Sequence, residues 1–324
     1  MDLMRSFEVD GNIKPSLFNL LNTIKDNNKF LHHSEHLQMH PIPVFNKSIL
    51  RITTSINSLI DYIPYQKYST KTSYGNDLFI KTKEIIESVI AFKDDTFQIM
   101  KCLYSKDAFR GKKEQKFADR WLESINEPVI KEYKTNLNFL YNLNYINNTI
   151  KHNNGRLTFF HIKAMNYYNI IGFFLEGVDE KGVKKPDENI HFKYKGMQTG
   201  YSYNYLIPLA LVYTYLVSHY ACIAINKILQ DTYGESIVVD RIEDQSEDFI
   251  KLIKAINKFT TNILLPDEYK RNFPYIWCDD SSLKLEYPAS DVYMKNFLKY
   301  SSNYKETLIT NGDGYTNQYQ LPYW

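Results

Sequence analysis

Apolar residues recur at steps of three and four positions through much of the first half of the chain, and this spacing is the strongest constraint on its fold. The clearest example is a run of five aliphatic residues: Ile49, Ile52, Ile56, Leu59 and Ile63. Side chains at these steps lie on one face of an α-helix and can be buried together. The same period returns over residues 77–103 and from 117 to 152, so this half is predicted to form long amphipathic helices.

The period changes after residues 144–157, which read NYINNTIKHNNGRL. Asparagine and glycine tolerate left-handed backbone, so the run Asn153, Asn154 and Gly155 predicts the end of a helix. Three segments that follow are rich in aromatic and β-branched residues, as β-strands are: 156–162, 168–177 and 189–194. Helical spacing resumes at Ser202. The stretch therefore marks a switch from helices to a small antiparallel sheet.

The predicted fold class is mainly α: a bundle of long helices with a small antiparallel β insertion over residues 156–195. One helical domain is expected to span residues 1–265. Residues 266–324 are rich in tyrosine and proline and show no sustained period, so we expect an irregular C-terminal tail packed on that domain.

Charge, cysteine content and hydropathy argue against several classes of protein. Lys and Arg number 39 against 37 Asp and Glu, a net charge of +2, so no overall field favours a nucleic acid or a membrane surface. Three widely spaced cysteines offer neither a disulfide framework nor a paired-cysteine metal site. The most apolar stretch, 206–228, contains Pro208 and His219 and predicts a buried helix rather than a membrane span. Because no apolar signal segment opens the sequence, a cytoplasmic protein without a membrane partner is expected.

The candidate catalytic residue is His152, near the predicted end of the helix. Asn148 lies four positions earlier and would share its face, while Lys151 and Arg156 lie close in sequence. A histidine titrates near neutral pH and can move the protons of RNA cleavage without a metal or another cofactor. Neighbouring amides and cations can hold the phosphate and stabilise its developing charge. The alternative is structural: a histidine that interacts with the last carbonyls of its own helix.

Residues 146–157, INNTIKHNNGRL, resemble the signature of bacterial HEPN-type helical proteins, which occur in RNase toxins and phage-defence systems. Active members of that family carry an arginine, usually followed by a polar residue, and a histidine four to six positions further on. The histidine corresponds to His152 and the polar residue to Asn148, whereas Asn147 stands at the position of the arginine. In the family that arginine helps to bind the phosphate.

The resemblance implies two functions that the residues leave open. One is a metal-independent endoribonuclease of a defence or toxin system, acting on RNA as a homodimer, with His152 as acid and base and with Asn147, Asn148 and Lys151 beside it. The other is an inactive helical scaffold or sensor that binds a protein partner from the same operon. The departure at Asn147 is the sequence feature that favours the second function.

Two further groups of residues are candidate binding sites. A basic connector at 105–116 contains the cations Arg110, Lys112, Lys113 and Lys116, which with Arg156 are predicted to contact RNA phosphates; a solvated loop is the alternative.

The histidine-rich segment HHSEHLQMH covers residues 32–40. On a helix, His32, His36 and His40 would line one face at a spacing that can chelate zinc. The nearby Pro41 and Pro43 favour a loop without metal instead.

Overall fold

A computed structural model describes residues 6–9, 14–27, 29–67, 76–109, 115–164, 169–178, 180, 184–239, 247–259, 264–265, 267–268, 275–278, 283–286, 304–309 and 321–322. Its α-helices are α1 (Leu17–Ile24), α2 (Pro41–Lys67), α3 (Asn76–Lys101), α4 (Ala118–Ile125), α5 (Glu127–Asn136), α6 (Tyr141–His152), α7 (Tyr203–Tyr233) and α8 (Glu247–Phe259). Its strands are β1 (Ser6–Val9), β2 (Leu157–Ala164), β3 (Asn169–Val178), β4 (Lys184–Pro186), β5 (Lys193–Tyr194), β6 (Met197–Gln198), β7 (Tyr201–Ser202), β8 (Tyr275–Cys278), β9 (Leu283–Glu286) and β10 (Tyr304–Ile309). The predicted class, mainly α with a small antiparallel β insertion, is confirmed.

The bundle is assembled around α2, α3 and α7, the three longest helices of the described residues. α2 packs along α3, and α3 in turn contacts α4, α6 and α7. The aliphatic face predicted from Ile49 to Ile63 is buried, so the helical period correctly identified the inner side of α2. Hydroxyl pairs complete the contacts inside the bundle: Ser55 lies 3.1 Å from Ser88, and Thr96 lies 2.7 Å from the Tyr133 hydroxyl.

α7 is the central helix, and most of its side chains are buried against α1, α3, α5, α8 and β3. Ser202 caps its first turn, where its hydroxyl accepts the Tyr205 N–H at 3.1 Å. By length and composition α7 is apolar enough to cross a membrane, but 72% of its most apolar stretch is buried inside the fold. Its apolar character is therefore accounted for by its place in the core.

The main sheet has the order β10-β2-β3-β4, and β7 also pairs with β3; all of these pairings are antiparallel. β2 and β3 form the predicted pair of long strands that follows α6. Gly172 of β3 lies opposite Phe160, and a Cβ at Gly172 would come within 2.3 Å of both the Phe160 ring and the Tyr201 carbonyl oxygen. A side chain at this position would therefore displace the ring or the neighbouring strand.

The predicted third strand, 189–194, is wrong as an element of this sheet. Its first residues form a turn in which the Asp187 carboxylate accepts the Asn189 N–H at 2.9 Å and the Asp187 carbonyl accepts the His191 N–H at 3.0 Å. Such a turn competes with extended pairing. Lys184–Pro186 pairs with β3 instead, and Lys193–Tyr194 forms a separate hairpin with Met197–Gln198.

The expectation that residues 266–324 are irregular throughout is also wrong. β8 and β9 pair with each other, and β9 pairs with β1 near the N-terminus. β10 pairs with β2 along six residues and so extends the main sheet. Tyr304–Ile309 contains two adjacent charged residues, which weakens its local strand pattern. Its pairing partner β2 lies some 140 positions earlier in the chain, so its strand conformation depends on a long-range contact.

Two carboxylates attach the segment after α8 to the start of α7. Asp267 and Glu268 are both fully buried. Glu268 accepts the Ser202 N–H at 2.7 Å, the Ser202 hydroxyl at 2.7 Å and the Leu265 N–H at 2.8 Å. Asp267 accepts the Thr199 hydroxyl at 2.8 Å. The junction between β7 and α7 is thus held by acceptors that come from outside the β insertion.

Candidate functional site

The helix that carries the predicted motif ends where the sequence indicated. α6 stops at His152, Asn154 has the left-handed φ of +52°, and the Gly155 N–H returns to the Thr149 carbonyl at 2.9 Å. A Cβ at Gly155 would lie 2.7 Å from the Thr149 methyl group, so glycine is required for this close return of the chain. β2 begins two residues later. The turn therefore fixes the position of His152 relative to the sheet.

His152 and Asn148 occupy the same face of α6, as the four-residue spacing predicted. Both side chains are exposed, and neither has a hydrogen-bond partner among the described residues. Arg156 is also exposed, directly before β2, and its carbonyl accepts the Glu176 N–H at 2.9 Å. The three residues are therefore exposed on the last turn of α6 or just after it.

Asn147 lies on a different side of the same helix and is buried, with 4% of its surface exposed. α6 packs against α3, and the Asn147 Oδ1 atom has no hydrogen-bond partner among the described residues. A buried carboxamide oxygen without a partner carries a desolvation cost of about 1–3 kcal/mol. The Asn147 side chain is thus directed into the bundle rather than towards the solvent around His152.

The Lys151 side chain forms an ion pair with another helix rather than a contact with His152. Its ammonium lies 2.8 Å from the Glu87 carboxylate of α3. The pair spans α6 and α3, and both side chains are about one-third exposed, so its stabilising effect is modest. Lys151 is therefore positioned by α3 and is already neutralised by a carboxylate.

The same two residues line a groove of about 680 Å³ between α2 and α3. The other lining residues come from these two helices: Lys47, Leu50, Arg51, Thr54, Ser55, Ser58, Glu84, Ser88 and Ala91. Arg51 is held 2.8 Å from Asp95, and Leu50 is 66% exposed on the rim. Two small buried side chains, Ser55 and Ser88, form its floor and leave space above them. We refer to this feature as the α2–α3 groove.

Sequence reasoning missed the α2–α3 groove because its parts lie far apart in the chain. Lys151 is a candidate site residue from the sequence, but its partner Glu87 lies 64 positions away on another helix. The available local signal was the small residues at helical spacing on α2, such as Ser55 and Ser58, which leave room beside the helix. The predicted phosphate contacts Arg110, Lys112 and Lys113 lie outside the described residues, so that prediction stays a prediction.

The histidine-rich segment does not form the helix on which the metal hypothesis depended. Residues 33–37 form turns, and α2 begins only at Pro41. His32 contacts Glu35 at 2.8 Å and the Tyr233 hydroxyl at 3.0 Å through its two ring nitrogens. His40 uses both of its nitrogens for backbone contacts, to the Lys25 carbonyl and to the Ile42 N–H. No group of three metal-ligating side chains occurs in the described part of the chain.

The segment instead connects the ends of two long helices. His36 lies 2.8 Å from the Tyr104 carbonyl oxygen just after α3 and packs edge-on against Trp121. Tyr233 is the last residue of α7 and lies next to His32. Its hydroxyl donates to the carbonyl of Leu103, just after α3, at 2.7 Å. Burial lowers the pKa of His36, and the hydrogen bond to Tyr104 opposes this effect in part. These histidines are therefore integrated into the folded structure.

Stability is expected to fall as the pH is lowered from 7.5 to 5.5. Burial lowers the pKa values of His33, His36 and His219 in the folded protein below the value of about 6.5 for an unfolded chain. The unfolded state then binds more protons in this window, so the stabilisation is complete above pH 6.5 and is lost as the pH falls towards the folded pKa values. Urea unfolding followed by circular dichroism at several pH values measures the slope. His36→Gln should reduce it, and an unchanged slope in that variant would contradict the assignment.

No family model, curated protein or solved structure matches the chain. The candidate site residues within 146–157 fall into three groups by the position of their side chains. His152, Asn148 and Arg156 are exposed at the end of α6, Lys151 faces the α2–α3 groove, and Asn147 is inside the bundle.

Proposed function

We propose that the protein is a HEPN-like helical subunit without nuclease activity, which binds a protein partner from a neighbouring gene of a defence system. The observation that carries this proposal is the burial of Asn147. A side chain at that position cannot contact a phosphate in solvent, and asparagine supplies no cation. Lys151, the nearest substitute, is paired with Glu87 at 2.8 Å. Of the cations in residues 146–157 this leaves Arg156, which lies beyond the end of α6, so a cation on the helix itself, beside His152, is missing from the electrostatic stabilisation that normally contributes most to such catalysis.

We assign the partner to the α2–α3 groove. An open groove between two long helices, with an exposed leucine on its rim and small residues on its floor, accepts an apolar anchor from another protein. Lys47 and Glu84 on its walls supply charges of both signs for the polar rim of an interface. The proposed partner surface is thus separate from the exposed face of His152.

Co-expression with the products of the adjacent genes tests the proposal. The expected result is a complex of fixed stoichiometry that Leu50→Asp disrupts and His152→Ala leaves intact. Asn57→Asp is the matched control, since Asn57 is exposed on α2 outside the residues that line the groove. Gel filtration with light scattering measures the stoichiometry, and calorimetry measures the loss of affinity. A chain that binds none of these products, or a complex indifferent to Leu50→Asp, contradicts the proposal.

The second candidate function is a metal-independent endoribonuclease, and one observation favours it. His152, Asn148 and Arg156 remain accessible around the end of α6. In this alternative His152 transfers protons, Arg156 contacts the phosphate and two copies of the chain act together as a homodimer. Cleavage of total RNA in the presence of a chelator, lost in His152→Ala at unchanged thermal stability, would establish this activity and exclude the non-catalytic function.

A further inference from the structure

An exposed aromatic ring stands at the start of α4, between two cations. Phe117 is 55% exposed. The Lys116 ammonium and the Arg120 guanidinium carbon each lie 5.7 Å from the centroid of its ring. This separation is close to the limit of about 6 Å for a cation–π contact, so neither cation is held tightly on the ring. The ring surface remains open to solvent.

Neither cation lies within ion-pair distance of a carboxylate among the described residues, although Arg120 is close enough to help lower the pKa of Asp119. Asp119 and Glu123 both bind the Lys134 ammonium, at 2.7 Å and 2.9 Å. Glu127 binds Lys131 at 2.5 Å. The acidic residues closest in the sequence of α4 and α5 therefore neutralise lysines of α5. The positive charge beside Phe117 is left available to an anion from outside.

The backbone under Phe117 is held firmly. Phe117 adopts an extended conformation, with φ of −100° and ψ of 135°, and its carbonyl accepts the Trp121 N–H at 2.9 Å. Trp121, one turn later, is buried, where it packs against the His36 ring and near the Tyr104 ring. The ring of Phe117 thus projects from a helix end that its buried neighbour anchors to the bundle. A platform fixed in this way loses little conformational entropy when it binds a ligand.

We propose that Phe117, Lys116 and Arg120 form a binding site for single-stranded nucleic acid. One base stacks on the Phe117 ring, and the phosphates on either side of it contact Lys116 and Arg120. Each nucleotide presents a flat aromatic surface next to a negative charge, and this site presents the complementary pair at 5.7 Å. An acidic peptide would satisfy the two cations but would leave the aromatic ring without a stacking partner. The site does not depend on the proposed partner or on nuclease activity.

Fluorescence anisotropy with a labelled oligouridine RNA of about 12 nucleotides tests the site. Phe117→Ala should weaken binding roughly 5- to 150-fold, the range expected from the loss of one stacked base. An RNA of the same length with abasic positions should bind the wild-type protein as weakly as the full RNA binds Phe117→Ala. In the double variant Lys116→Gln with Arg120→Gln, the slope of log affinity against log salt should become shallower by about 1.4, since about 0.7 is lost for each phosphate contact.

Two control variants separate this site from general effects. Tyr141→Ala removes an aromatic ring of similar exposure, 59%, and Lys25→Gln removes an exposed lysine of another helix end; both should bind as the wild type does. Thermal unfolding by circular dichroism verifies that each variant is folded. The proposal is overturned if the wild type binds no RNA at low salt, or if Phe117→Ala binds as tightly as the wild type. Equal binding of full RNA, abasic RNA and oligoglutamate would assign the surface to acidic ligands in general and would also overturn it.

Discussion

Replacing Asn147 with arginine is expected to lower the free energy of unfolding by about 2–4 kcal/mol, without producing nuclease activity. The substitution introduces the arginine that the proposed HEPN-like assignment would place at this position. Here, however, the side chain is 4% exposed and lies on the side of α6 that packs against α3. A guanidinium in that place must either remain buried without a counter-ion or force the two helices apart. Both outcomes cost folding free energy, and neither directs the charge towards His152.

Urea denaturation followed by circular dichroism measures the loss, and the matched control is Asn148→Arg. Asn148 is the next residue of the same helix and is exposed, so an arginine there should change stability by no more than about 0.5 kcal/mol. The pair of variants keeps the chemical change constant and alters only the side of the helix. An Asn147→Arg protein as stable as Asn148→Arg would show that the position is open to solvent. Metal-independent RNA cleavage by Asn147→Arg would show that the arginine alone was missing.

The end of α6 was predictable because it depends on neighbours in the sequence. The left-handed φ of Asn154 and the return of the Gly155 N–H to Thr149 use backbone preferences that asparagine and glycine carry with them. The burial of the aliphatic face of α2 followed in the same way from its period. Local chemistry of this kind identified the fold class and the shared helix face of Asn148 and His152.

The environment of each site residue was not predictable, because it depends on contacts between distant parts of the chain. Asn147 and Asn148 are the same amino acid at adjacent positions, and only the packing of α6 on α3 makes one buried and the other exposed. The pairing of Lys151 with Glu87 joins two helices 64 positions apart. The six-residue register of β10 on β2 joins segments that are more distant still. A local sequence pattern carries no information about contacts between such distant segments, so the groove and the strands of the C-terminal segment could not be predicted.

The first residues described after α8 carry the second large effect. Glu268→Ala is expected to destabilise the protein by about 3–5 kcal/mol. Its fully buried carboxylate accepts the N–H and hydroxyl of Ser202 and the Leu265 N–H, all between 2.7 and 2.8 Å. Alanine leaves these donors in the interior without their acceptor, at a cost of about 1–3 kcal/mol for each one that finds no other partner. It also removes a negative charge beside the first turn of α7, where the helix dipole favours one.

The effect should appear as a lower midpoint of urea unfolding with an unchanged slope, because the surface exposed on unfolding remains the same. Glu188→Ala serves as the control: its carboxylate is 62% exposed, lies 3.4 Å from Lys185, and should contribute less than about 1 kcal/mol. If the alanine variant does not fold, Glu268→Gln retains one acceptor oxygen and should show a smaller loss in the same direction. A Glu268→Ala protein within about 1 kcal/mol of the wild type would mean that Ser202 caps α7 without help. The segment after α8 would then contribute little to stability. The predicted loss of stability, in contrast, would show that this segment helps to hold the central helix α7 in place.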